Sequence, residues 1–201
     1  MKNFDPKSLL GSWYKTDGLN PNYDLFDCQT NTFSISKGAE SDASELDMGI
    51  FFRVSRPTSS GGGFWVSLFF IKWLFKFSLN FITASCLFLK ENSLTEHMVI
   101  DGLKESTMNE NVGRTMHTGG QMYGLSFDEN WYIIGESDGK GGIPEFKVVA
   151  YKGHTLQGNY EGSFVYAKEP VLPAAAIPAV KDVLLKGGLD FDKFTRIDNT
   201  W

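Results

Sequence analysis

Apolar and polar residues alternate along most of this chain in short runs separated by turn formers. The runs are Leu25 to Ile35, Met48 to Val54, Glu96 to Ile100, Met122 to Phe127, Asn130 to Gly135, Glu145 to Tyr151 and Gly162 to Ala167. A period of two sends successive side chains to opposite faces, so each run reads as a half-buried strand. Asp138-Gly139-Lys140-Gly141-Gly142 reads as a hairpin-type loop. Ahead of the first strand, Asp5-Pro6-Lys7-Ser8-Leu9-Leu10 reads as a short helical turn entering Gly11-Ser12-Trp13-Tyr14. Short strands with Gly, Asn, Asp and Pro between them predict an all-β meander, either a sandwich or an up-and-down barrel.

After Pro170-Val171-Leu172-Pro173 the period changes. The stretch from Pro178 to Lys186 gathers Val180, Val183 and Leu184 on one face, starts on a proline and stops at Gly187-Gly188. Proline suits a first helical turn and glycine a helix end, so one C-terminal helix is expected here. Asp190 to Phe194 reads as a last short turn.

Residues 66–90 break the alternation. They are apolar throughout, between the polar Thr58-Ser59-Ser60-Gly61-Gly62-Gly63 and the polar Glu91-Asn92-Ser93. A transmembrane helix needs ~20 mostly apolar residues, but Lys72 and Lys76 would then sit mid-span at high cost. An interfacial amphipathic anchor would have a thin polar face. The preferred reading is a retained intron. Val66 has codons beginning GT, Lys90 can end on AG, and Phe and Leu dominate before the end as a pyrimidine-rich tract would encode.

Length and composition narrow the class. At 201 residues the chain is read as a single domain, 1–201, with 66–90 inserted into a strand connection. A net charge of −5 with scattered basic residues argues against nucleic acid as a partner. Abundant Phe, Tyr, Trp and Gly suit a sheet protein with tight turns and large side chains filling a barrel. Two cysteines, Cys28 and Cys86, are too few for a disulfide framework. His97, His117 and His154 are dispersed without ligand-like spacing, so no metal is expected. There is no Ser-His-Asp arrangement, P-loop or dinucleotide fingerprint, and the first residues carry no apolar or Arg/Ser-rich targeting character.

Gly11-Ser12-Trp13-Tyr14 resembles the Gly-x-Trp opening of lipocalins, whose Trp plugs the closed end of a barrel. More specific is Gly18 to Gln29, which resembles the first-strand region of the violaxanthin de-epoxidase family, closest to its de-epoxidase-like branch. Asn130-Trp131-Tyr132-Ile133, Tyr151-Lys152-Gly153, Val165-Tyr166, Val171-Leu172-Pro173 and Phe194 to Thr200 continue the likeness, which covers nearly everything except 66–90. It implies an eight-stranded antiparallel lipocalin barrel with a C-terminal helix. It also implies an oxidoreductase of the thylakoid lumen of chloroplasts that acts in the xanthophyll cycle. Its substrate would be a carotenoid epoxide such as violaxanthin, with ascorbate as co-substrate and no metal. Low pH would bring thylakoid membrane association and a homodimer. The family's Cys-rich and Glu-rich flanking regions are absent from this sequence. The family cysteine that bridges to the position of Cys28 is Trp201 here, which a split codon read into an intron, TGG TAA, would explain.

Opening an epoxide needs a general acid, and burial in an apolar cavity raises a carboxyl's pKa toward the working pH. By resemblance Glu129 takes the place of the family's catalytic aspartate, with neighbouring Asp128 the alternative if the strand register differs. The same resemblance assigns Gln29, Asn31, Phe127, Trp131, Tyr151 and Tyr166 to the substrate cavity. Asn31 stands where the family has His, Phe127 where it has Tyr, and Gly158 where it has a second acidic residue. These departures leave two further expectations open: isomerisation of the epoxide to an allene without reductant, and carotenoid binding without turnover.

Overall fold

The computed structural model describes residues 4–20, 26–39, 43–53, 91–101, 115–122 and 125–200. The apolar segment 66–90, Cys86 and Trp201 lie outside them, as does the Leu25 end of the first predicted run. Nine strands form one antiparallel sheet: β1 (Gly11–Gly18), β2 (Asp27–Ile35), β3 (Glu45–Arg53), β4 (Glu91–Asp101), β5 (Thr115–Met122), β6 (Leu125–Ser137), β7 (Phe146–Thr155), β8 (Gly158–Ala167) and β9 (Thr195–Arg196). Strands β1 to β8 follow one another in space, and β1 pairs with both β8 and β2, so the eight close into an up-and-down barrel. The short β9 pairs with Asp17 and Gly18, at the end of β1 that β2 has left.

Two strands differ from the predicted runs. Met122 to Phe127 is not a strand of its own: it covers the end of β5 and the start of β6, which runs on unbroken to Ser137. Strand β5 itself, Thr-Met-His-Thr-Gly-Gly-Gln-Met, carries little apolar signal because Thr118 and Gly120 follow Met116 on its inner face. Pairing with β4 and β6 on either side holds it in the sheet despite this.

One end of the barrel is closed by the turn Pro6–Leu9 and by Trp13, which is fully buried and donates its indole N–H to the Leu9 carbonyl at 2.6 Å. Lys168 Nζ sits 3.5 Å from the centre of the Trp13 ring, a cation–π contact that covers the plug. Lys147 reaches the same end from β7, buried, with its ammonium 2.7 Å from Glu136 and 2.9 Å from the Ser8 hydroxyl.

The helix α1 (Ile177–Lys186) lies outside the barrel. It buries Val180 and Leu184 against Phe146, Val148, Val165 and Ala167, the outward residues of β7 and β8. Gly135 makes the approach possible, since a Cβ there would fall 2.4 Å from Val183. The tail then runs back along β1. Ile197 donates to the Thr16 carbonyl, and the Asn199 amide donates to the carbonyls of Lys15 and Pro170. Among the described residues no helix is long and apolar enough to cross a membrane.

Candidate active site in the barrel interior

Strand alternation decides which side chains meet inside. On β6 it sends Phe127, Glu129, Trp131 and Ile133 inward and Asp128 and Asn130 outward. Strand β4 contributes Glu96, Met98 and Ile100, and β5 contributes Met116 and Thr118. From β7 and β8 come Tyr151, Tyr160, Phe164 and Tyr166. The resulting layer is aromatic on one side and carries two carboxyls.

Glu129 is fixed by two short hydrogen bonds. The Trp131 indole N–H donates to its Oε2 at 2.6 Å, and the Tyr160 hydroxyl donates to its Oε1 at 2.6 Å. Tyr160 reaches it by lying flat over Gly153, where a Cβ would come within 2.6 Å of the ring. Trp131 is braced edge-on against Phe164, with ring centres 5.1 Å apart.

Glu96 is the second interior acid, 5% exposed. Desolvation by burial, aided by the negative charge of Glu129, pushes its pKa up to about 8; the Thr118 hydroxyl opposes this only in part. Thr118 Oγ1 lies 3.1 Å from Glu96 Oε2 and 3.1 Å from the His97 carbonyl.

The remaining cavity candidates lie on β2, β6, β7 and β8. Asn31 is buried and donates to the Tyr166 hydroxyl at 2.6 Å, with its amide nitrogen also 3.2 Å from Met48 Sδ. Tyr166 is fully buried, and burial together with Glu96 and Glu129 holds its ionisation well above the usual phenol range. Tyr151 is buried and packs edge-on to Tyr160. Phe127 lies half-buried with its ring over Gly120. Gln29 is buried but turned to the rim, donating to the Phe26 carbonyl at 2.8 Å. It follows a bulge in β2 at which Cys28 takes a left-handed φ of 54°. The Cys28 N–H donates to the Asp198 carbonyl, so the tail that leads to Trp201 passes directly beside this cysteine.

Asp128 faces the other way. Its carboxylate is 3.3 Å from His117 and 3.9 Å from His154 on the outer surface. The structure therefore separates the two acids named from the sequence and brings only Glu129 inside. It adds Glu96 and Tyr160, which that reading missed. Both were findable by parity: Glu96 shares its face with Met98 and Ile100, and Tyr160 with Phe164 and Tyr166. Among the described residues no group of three His, Cys, Asp or Glu side chains could hold a metal ion.

A closed eight-stranded antiparallel barrel, a Trp13 plug under a lysine and a helix packed outside define a lipocalin. Known structures agree on the fold. Lobster apocrustacyanin A1 superposes with a TM-score of 0.56 at 10% identity, covering 97% of this chain and 79% of that one. The cockroach allergen Per a 4 gives 0.55 at 11%, covering 98% and 90%.

The chain belongs to the violaxanthin de-epoxidase family: the sequence model described as "VDE lipocalin domain" matches residues 1–199. Chloroplastic violaxanthin de-epoxidases of Nicotiana tabacum and Arabidopsis thaliana are each 26% identical to it over 201 residues. That of Spinacia oleracea is 24% identical. The match covers the whole of this chain but only 33%, 34% and 33% of those proteins respectively, so the chain spans about a third of the length of these relatives.

Proposed function

We propose that this barrel converts a xanthophyll epoxide, opening the epoxide of a carotenoid such as violaxanthin by acid catalysis. The observation that carries the reading is the position of Glu129: an interior carboxyl, among Trp131, Tyr151, Tyr160 and Phe127, at the place where the family resemblance puts its catalytic acid. In the reductive form of the reaction the epoxide oxygen leaves as water. One ascorbate supplies two electrons and two protons, and a carbon–carbon double bond remains. The working site would be the chloroplast, in line with the names of the relatives. The thylakoid lumen, membrane docking and a homodimer at low pH follow from the same resemblance.

A second interior carboxyl favours one alternative. An acid and a base together can isomerise the epoxide to an allenic alcohol: one proton is added to oxygen, one is lost from a polyene carbon, and no reductant is consumed. Incubating the full chain with violaxanthin at pH 5, with and without ascorbate, and separating the pigments distinguishes these. Zeaxanthin formed only with ascorbate supports de-epoxidation, and an allenic isomer formed without it supports isomerisation. Pigment that binds but returns unchanged makes the chain a carotenoid carrier and overturns the enzymatic reading. Glu129→Gln should lower whichever turnover is found by ~100- to 10,000-fold, the usual worth of a positioned general acid or base.

A further inference from the structure

We infer that Glu96 is the proton donor of the interior site and Glu129 its ionised partner, so that the two carboxyls hold one proton between them, on Glu96. This rests on the epoxide-opening reading for its reaction but not for its placement of the proton.

The placement follows from counting hydrogens. An indole N–H can only donate, so Oε2 of Glu129 must accept from Trp131, and the Tyr160 hydroxyl stands at Oε1, where it donates if Glu129 is ionised. Both neighbours find an acceptor when Glu129 is the ionised member of the pair.

Glu96 has the opposite surroundings. Thr118 offers one hydroxyl proton, yet two oxygens stand 3.1 Å from it, the Glu96 carboxyl and the His97 carbonyl. A carbonyl can only accept. Both contacts are satisfied together when Glu96 carries a proton and donates to Thr118 Oγ1, while Thr118 donates to His97. The burial of Glu96 and the charge on Glu129 act in the same direction. The other groups facing this layer are Tyr166 on β8, neutral and bonded to Asn31 of β2, and Lys15 on β1, whose ammonium lies over the Phe164 ring.

The chemical step is then defined. The Glu96 O–H bond breaks, its proton goes to the epoxide oxygen, and the C–O bond opens with both electrons on oxygen. A hydroxyl forms, and positive charge is left on the polyene carbon. Glu129, already negative, stabilises that cation. In the redox-neutral branch it is the base that takes the carbon proton, whose bonding electrons complete the new double bond. In that branch the proton on Glu129 is released to solvent and Glu96 takes one up, which restores the starting state before the next turnover.

The test uses the full chain at pH 7. Infrared difference spectra should show the carbonyl band of a neutral carboxylic acid that is absent from Glu96→Gln and retained in Glu129→Gln. The Glu96→Gln variant should bind violaxanthin like the parent but convert it about a hundredfold more slowly. A spectrum unchanged in Glu96→Gln, or a band lost from Glu129→Gln instead, overturns the proton placement. Parent-like turnover by Glu96→Gln overturns its role as donor. If the parent itself converts no epoxide, the functional reading fails separately, and the infrared band still decides where the proton resides.

Discussion

Two of the places where this barrel buries charge do so in opposite ways. At the closed end Lys147 is taken out of water together with its counterion: Glu136 and Ser8 accept its hydrogen bonds, and Trp13 and Phe4 lie beside it. In the middle, Glu96 and Glu129 share an aromatic-walled space as like charges. The first arrangement compensates itself and holds the plug in place. The second carries one charge instead of two only if one carboxyl keeps a proton, and a buried carboxyl that keeps its proton at neutral pH is what the proposed acid catalysis requires. At the closed end charge is paired with its opposite; in the middle it is set against its like.

The largest expected effect separates them by pH. Folding raises the Glu96 pKa from 4.5 to about 8, so the native state holds a proton that the unfolded chain releases at lower pH. Stability from this group is complete below pH 4.5, falls as the pH rises toward 8 and levels off above it. The loss over that window should be roughly 3–5 kcal/mol, and Glu96→Gln should flatten it, as read from denaturant midpoints across pH. A parent profile as flat as the variant's would remove Glu96 from the account.

The closed end should respond to substitution instead of pH. Lys147→Met leaves the Glu136 carboxylate facing an apolar plug, and thermal or denaturant unfolding should register a loss of about 3 kcal/mol. A loss below about 0.5 kcal/mol would show that the pair contributes no more than a surface salt bridge. The smallest effect belongs to Asp128, whose carboxylate and histidine partners stand half-exposed on the outer wall. Asp128→Asn should change stability by no more than ~0.5 kcal/mol and leave pigment conversion intact, although it is the immediate neighbour of Glu129.

Much of the fold was legible because it depends on period and punctuation. Alternating runs, Gly-rich turns, a proline at the head of the helix and Gly187-Gly188 at its end are local signals, and the barrel and helix followed them. Strand β5 escaped because Thr118 and Gly120 follow Met116 on its inner face, so the pattern looks polar. The site was legible only in part. Glu129 was chosen by family resemblance, and only the register of β6 shows that it points inward while Asp128 points out. Glu96, between Thr95 and His97, looks like an ordinary surface acid beside its immediate neighbours, and only its parity with Met98 and Ile100 points inward. Its burial comes from barrel closure, which brings β4 and β5 against the aromatic wall of β6 to β8, a contact that no local window contains.

The most direct test is the structure of the chain with violaxanthin bound. The expected result places one end ring inside the barrel, with its epoxide oxygen within hydrogen-bonding distance of Glu96 and the polyene passing Trp131 and Tyr151. A pigment seated instead in the outer groove of about 490 Å³ between α1 and the barrel, lined by Ser8, Glu136, Asp182 and Val183, would contradict it.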